Sequence, residues 1–116
     1  FEYCAFDGAY IFKYSPRPGT PAFEMKDDVA PQTKTGRFLE LEKLQRKFQQ
    51  KSLRRMQNKT YKVLAEKLSE KTANHLSGHT TCHRVVNFEG MRENLGEILN
   101  IKITECKTNT LFGKIL

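Results

Sequence analysis

Three imidazoles, His75, His79 and His83, recur at four-residue steps, and the last two bracket Thr80, Thr81 and Cys82. On a helix that spacing would put all three on one face and offer a metal three nitrogen ligands. The surrounding residues favour a different geometry. Thr80, Thr81, Val85, Val86 and Phe88 suit a pleated surface. There a turn at Gly78 separates His75, while His79 and His83 share one side, so no metal site is expected. Cys4, Cys82 and Cys106 lie far apart with no CxxC pair. Such usage fits neither a disulfide framework nor a self-contained zinc site, and it points to a reducing cytoplasm. The chain has no phosphate-cradling glycine loop, no nucleophile elbow and no HExxH, so no catalytic residue is assigned.

What this stretch can do is bind. GHTTCHRVVNFEG, from Gly78 to Gly90, opens on a turn glycine and passes through hydroxyl and imidazole groups to Arg84. It then becomes a short apolar strand that stops at a second glycine. His79, Thr81, His83, Arg84, Asn87 and Phe88 form the candidate RNA-touching edge, with Lys62 and Lys102 on neighbouring strands. Cations would meet the backbone and the aromatic would meet bases. On these residues alone a plain hairpin in a small barrel is the readier reading. A second candidate is Arg17, held between Pro16 and Pro18 in the loop Ser15–Pro21. It is placed either to take an anion or carboxylate, or to brace an interface through a salt bridge.

The elements that must position these residues follow from the pattern. Ala9–Tyr14, rich in aromatic and β-branched side chains, reads as a strand. Pro31 suits a first helical turn, and Phe38, Leu41, Leu44, Phe48, Leu53 and Met56 mark the apolar side of a helix of about seven turns. Arg37, Lys43, Arg46, Lys47, Lys51, Arg54 and Arg55 occupy its other faces, and the helix reads as a connector. From Asn58 the period becomes strand-like. Five strands are expected, at 60–66, 75–82, 84–88, 98–104 and 110–116, closing into a small barrel of a kind that often binds oligonucleotides.

Charge supports a polyanionic partner. The 116 residues carry a net +7, unevenly placed. Residues 1–30 hold three basic and five acidic side chains, residues 31–57 eight and two, and residues 58–116 nine and six. The middle segment therefore carries most of the excess, as contact with nucleic acid requires. No run approaches the roughly 18 apolar residues of a membrane span. The start, Phe1-Glu2-Tyr3-Cys4, has neither an initiator methionine nor a basic leader, and reads as the start of a fragment.

With these residues laid out, FDGAYIFKYSPRPGTPAFEM resembles the last strand and following loop of the barrel in radical S-adenosylmethionine methylthiotransferases. The basic helix resembles their linker, and residues 58–116 resemble their C-terminal TRAM domain, a five-stranded RNA-binding barrel. Pro16-Arg17 and Val85-Val86-Asn87-Phe88 are similar to the branch that adds a methylthio group to N6-isopentenyladenosine beside the tRNA anticodon. The fold this implies is an α+β fragment. It comprises a radical SAM end at 1–30, a linker helix at 31–57 and an antiparallel, OB-like TRAM barrel at 58–116.

The resemblance also implies a parent with two [4Fe-4S] clusters and S-adenosylmethionine. Three scattered thiols cannot hold such clusters, so this fragment is expected to bind no cofactor and to be inactive alone. The implied partners are the tRNA anticodon stem-loop and the upstream radical SAM domain, with no membrane and no self-association. One departure matters: the family's TRAM segment carries arginines where this chain has His79 and Thr81. Two other readings stay open, a free-standing RNA-binding or ribosome-associated module and a methylthiotransferase acting on a ribosomal protein.

Overall fold

The computed structural model describes residues 1–116 and divides them into two compact units, 1–49 and 50–116, with the boundary inside one helix. In the first unit, residues 1–30 are built of turns and bends, apart from a 3₁₀ turn at Pro21–Glu24. The expected strand at 9–14 pairs with nothing. Its side chains describe a fit to a half-buried pleated surface, and this chain supplies no second strand there. Tyr10 is 95% exposed and Phe12 82% exposed. The proline-rich loop is closed locally: the Thr20 hydroxyl donates to the Arg17 carbonyl at 2.7 Å.

Helix α1 runs Pro31–Arg54. Proline at its first position has no N–H to leave unsatisfied. Ahead of it, the Asp27 carboxylate accepts from Lys34 Nζ and from the Val29 N–H. Those two bonds hold the Asp27 carboxyl below its usual range, with Lys34 the larger cause. Phe48 packs edge-on against Phe1, ring centroids 5.9 Å apart. The helix stops at Arg54 rather than continuing to residue 57, because the chain tightens into i→i+3 bonds: Met56 N–H to Leu53 O and Gln57 N–H to Arg54 O. Asn58 then takes a left-handed backbone, φ +63°, which asparagine tolerates better than most residues.

The second unit is a closed barrel. Its strands are β1 (Thr60–Leu68), β2 (His75–Thr80), β3 (Val85–Glu89), β4 (Ile98–Cys106) and β5 (Leu111–Ile115), ordered β1-β2-β3-β5-β4 around the ring. Four of the neighbouring pairs are antiparallel, but β3 and β5 run parallel. That corrects the antiparallel expectation, and the reason is counting. Directions cannot alternate around a ring with an odd number of strands.

Alternation fills the interior. Leu53 and Met56 from the end of α1 join Val63, Ala65, Leu76, Val86, Phe88, Ile101, Ile103 and Leu111 in one core. Burying one such large side chain contributes about 1.5–3 kcal/mol. Gly78 is part of this core wall and forms no turn. It lies within β2 opposite Ala65, and a Cβ there would fall 1.9 Å from the Leu64 carbonyl oxygen. The turn lies later, at 81–84, where His83 has φ +59°. The Thr80 N–H donates to Arg84 O at 2.9 Å and closes the loop.

Candidate nucleic-acid interface

Strand parity decides which side chains reach solvent. On β1, Lys62, Leu64 and Glu66 point outward between the buried Val63 and Ala65. On β2, His75, Ser77 and His79 do the same. Leu64 faces His79 on one side and Ile98 on the other. With the β2–β3 loop these strands enclose a shallow cleft of 270 Å³, lined by Lys62, Leu64, Glu66, His79, Thr80, Thr81, His83 and Ile98. Four of the candidate residues, Lys62, His79, Thr81 and His83, thus meet at one place.

The other four stand elsewhere. Lys102 lies on the outer face of β4, opposite Thr60 and Lys114. Two lysines directly across an antiparallel ladder repel by a few tenths of a kcal/mol up to about 1, and their field favours a polyanion. Asn87 is half-buried on β3 between Ser77 and Phe112. The Arg84 guanidinium is half-buried and donates to Ser52 Oγ at 3.0 Å. Phe88 is a correction: it was expected on the RNA-facing edge, yet it is 1% exposed and pairs across to the buried Leu76. In VVNF the outward parity belongs to Val85 and Asn87, so the aromatic ring cannot reach a base. Arg17 is exposed in the first unit.

Four residues of the cleft escaped the sequence reading: Leu64, Glu66, Thr80 and Ile98. Strict alternation through β1 could have found Leu64 and Glu66 as outward residues. It could not have given the contact that Glu66 makes, because β1 carries a bulge between Ala65 and Lys67. A bulge re-aims a side chain, and here the Glu66 carboxylate meets His79 Nδ1 at 2.8 Å. Away from the cleft, Lys107 Nζ sits 4.6 Å from the centre of the Phe112 ring, extending the cationic surface.

The thiols do not form a ligand set. Cys4 and Cys82 are exposed, and Cys106 donates from Sγ to the Leu53 carbonyl at 3.1 Å. Burial pushes the Cys106 thiol up, with Arg54 opposing and Glu105 adding to the shift. No three His, Cys, Asp or Glu side chains converge as metal ligands, so the residues present do not fit an iron–sulfur cluster. No helix is long and apolar enough to cross a membrane.

The comparisons agree with this barrel. The TRAM domain profile matches residues 54–116. The chain is 41% identical over 112 residues to a tRNA-2-methylthio-N(6)-dimethylallyladenosine synthase of Oceanobacillus iheyensis, covering 97% of this chain and 22% of that protein. It is 42% identical over 118 residues to the protein of that name in Psychromonas ingrahamii, covering 99% and 24%. With the Bacillus subtilis (strain 168) protein it shares 39% over 111 residues, covering 96% and 22%. The chain therefore spans under a quarter of the length of these relatives. A closed five-stranded barrel at residues 60–115, lying within a profile match over more than half of the chain, shows that the chain belongs to the TRAM domain family.

Proposed function

We propose that this chain is the tRNA-binding C-terminal region of a radical SAM methylthiotransferase. The parent enzyme converts N6-isopentenyladenosine next to the tRNA anticodon to its 2-methylthio derivative. The observation that carries the reading is the extent of the likeness: relatives named for this modification match 96–99% of the chain, not the barrel alone. In this reading residues 1–30 end the radical SAM domain, and 9–14 find their strand partner there. Residues 31–57 link the domains, and residues 58–116 hold the anticodon stem-loop.

The residues divide the work with chemistry done upstream. When bound by the parent, two [4Fe-4S] clusters and S-adenosylmethionine supply the radical and sulfur chemistry. This chain contributes positioning. Lys62, Lys102 and Lys114 meet phosphates without reading sequence, and the net +7 of the chain steers the RNA inward. The protein acts as a monomer in the cytoplasm. Nucleoside analysis of tRNA from a strain lacking the gene tests the reading. The 2-methylthio group should vanish, leaving N6-isopentenyladenosine, and normal 2-methylthio levels would rule the assignment out.

A further inference from the structure

Glu66 and His79 form a device that a simple basic stripe does not need. The Glu66 carboxylate meets His79 Nδ1 at 2.8 Å across the β1–β2 pair. A carboxylate only accepts hydrogen bonds, so Nδ1 carries the proton. In the neutral imidazole the opposite nitrogen, Nε2, is then an acceptor. A phosphate oxygen is an acceptor too, so this tautomer offers it nothing. A hydroxyl or an amine, by contrast, can donate to Nε2.

The surface beside the imidazole is apolar. Leu64 is 41% exposed and Ile98 68% exposed, and the two face each other across β1 and β4. They floor the 270 Å³ cleft whose rim carries Lys62, Thr81 and His83. At 270 Å³ the cleft lies just below the roughly 300 to 1,000 Å³ of small-molecule sites, so it suits a single base and its ribose edge rather than a larger ligand. Aliphatic side chains suit the face of any base. Lys62, beside them on β1, is placed for the phosphate that follows.

We propose that this cleft is a nucleoside subsite for single-stranded RNA. A base lies against Leu64 and Ile98, and its ribose 2′-OH donates to His79 Nε2. The proposal rests on the RNA-binding reading above. It gives His79 a different task from a phosphate-binding arginine, namely telling ribose from deoxyribose, since the 2′-OH is the group that distinguishes RNA from DNA. Glu66 is a positioning residue, acting through the imidazole tautomer.

The test uses the full 116-residue chain, an RNA hairpin with an unpaired loop and a DNA hairpin of the same sequence, titrated at several salt concentrations. The wild type should prefer RNA. His79→Phe keeps a ring but loses the acceptor; it should cut RNA affinity about tenfold, the size of one good hydrogen bond, and leave DNA affinity and the salt slope unchanged. Ile98→Asn should weaken both ligands alike, because the base face is common to both. Glu66→Ala should lower the RNA preference and move the His79 ring ¹⁵N resonances toward mixed tautomers, which a merely structural role would not do. Circular dichroism confirms that each variant is folded.

If His79→Phe weakens RNA and DNA equally and lowers the salt slope by about one phosphate contact, His79 is a phosphate ligand and the subsite is overturned. RNA binding that is unchanged in His79→Phe also overturns the subsite while sparing the RNA-binding reading. A chain that binds neither hairpin at low salt overturns both.

Discussion

The Arg84 guanidinium donates to the Ser52 hydroxyl at 3.0 Å, tying the end of the β2–β3 loop to the last turn of α1 across 32 positions of sequence. The loop that carries Thr81 and His83 is thereby fixed to the same helical turn that sends Leu53 into the core. Arg84→Ala should destabilise the barrel unit by about 1 kcal/mol, the net contribution of a typical hydrogen bond. Arg84→Gln, which keeps a donor, should recover most of this. Urea unfolding of the two variants checks it.

Gly78 and Gly36 make opposite predictions for the same substitution. A Cβ at Gly78 would meet the Leu64 carbonyl oxygen at 1.9 Å, whereas nothing lies within 4 Å of one at Gly36. Gly78→Ala should cost about 3 kcal/mol or more by forcing β1 and β2 apart, in the upper range of overpacking. Gly36→Ala, on an open helix surface, should stabilise α1 by about 0.5–1 kcal/mol. Helicity by circular dichroism and thermal melts separate the two.

Lys102 and Lys114 stand directly opposite each other on β4 and β5. Replacing either with Gln should leave the barrel as stable or slightly more so, since a like-charge pair is removed. If both meet phosphates, each replacement should lower the slope of log affinity against log salt by about 1. It should weaken all RNA sequences alike. Filter binding at several salt concentrations reads the slope.

The Cys106 thiol titrates above its ordinary value of 9.0 because it is partly buried. Below 9.0 it is protonated in both the folded and unfolded chain, and its contribution to stability is fully present. As pH rises past that value the unfolded chain loses its proton first, so stability falls until the folded thiol also titrates. Urea midpoints measured from pH 7 to 10 should drop more steeply in the wild type than in Cys106→Ala.

Much of this was legible because it rests on local pattern. The five barrel strands and the helix follow from period and from turn chemistry, and the strand positions emerge within a few residues. What failed depended on a partner. Residues 9–14 have the composition of a strand, yet a strand exists only as half of a pair. Phe88 and Asn87 are neighbours of opposite parity. Which of them faces inward is decided by β2, where Leu76 sits across from Phe88. The parallel β3–β5 pair is a property of the closed ring that no single segment carries. In the cleft, His79 was visible as a polar residue on a strand. Its bond to Glu66, 13 positions earlier, was not, since the pairing of β1 with β2 around the bulge decides which side chains meet. Gly78 reads in the sequence as a turn glycine, whereas its task is a close approach to β1 that only the strand pairing reveals.

The ring order also sets a schedule. β5 is the fifth strand in the chain but lies between β3 and β4. A chain emerging from the ribosome can pair β1 with β2, β2 with β3 and β1 with β4 before β5 exists. Until Leu111–Ile115 arrive, β3 and β4 are both open edges, the kind of surface on which neighbouring nascent chains aggregate. The five residues of the last barrel strand therefore convert an aggregation-prone open sheet into a barrel with no edge. Loss of that short strand would threaten solubility before it touched any RNA contact.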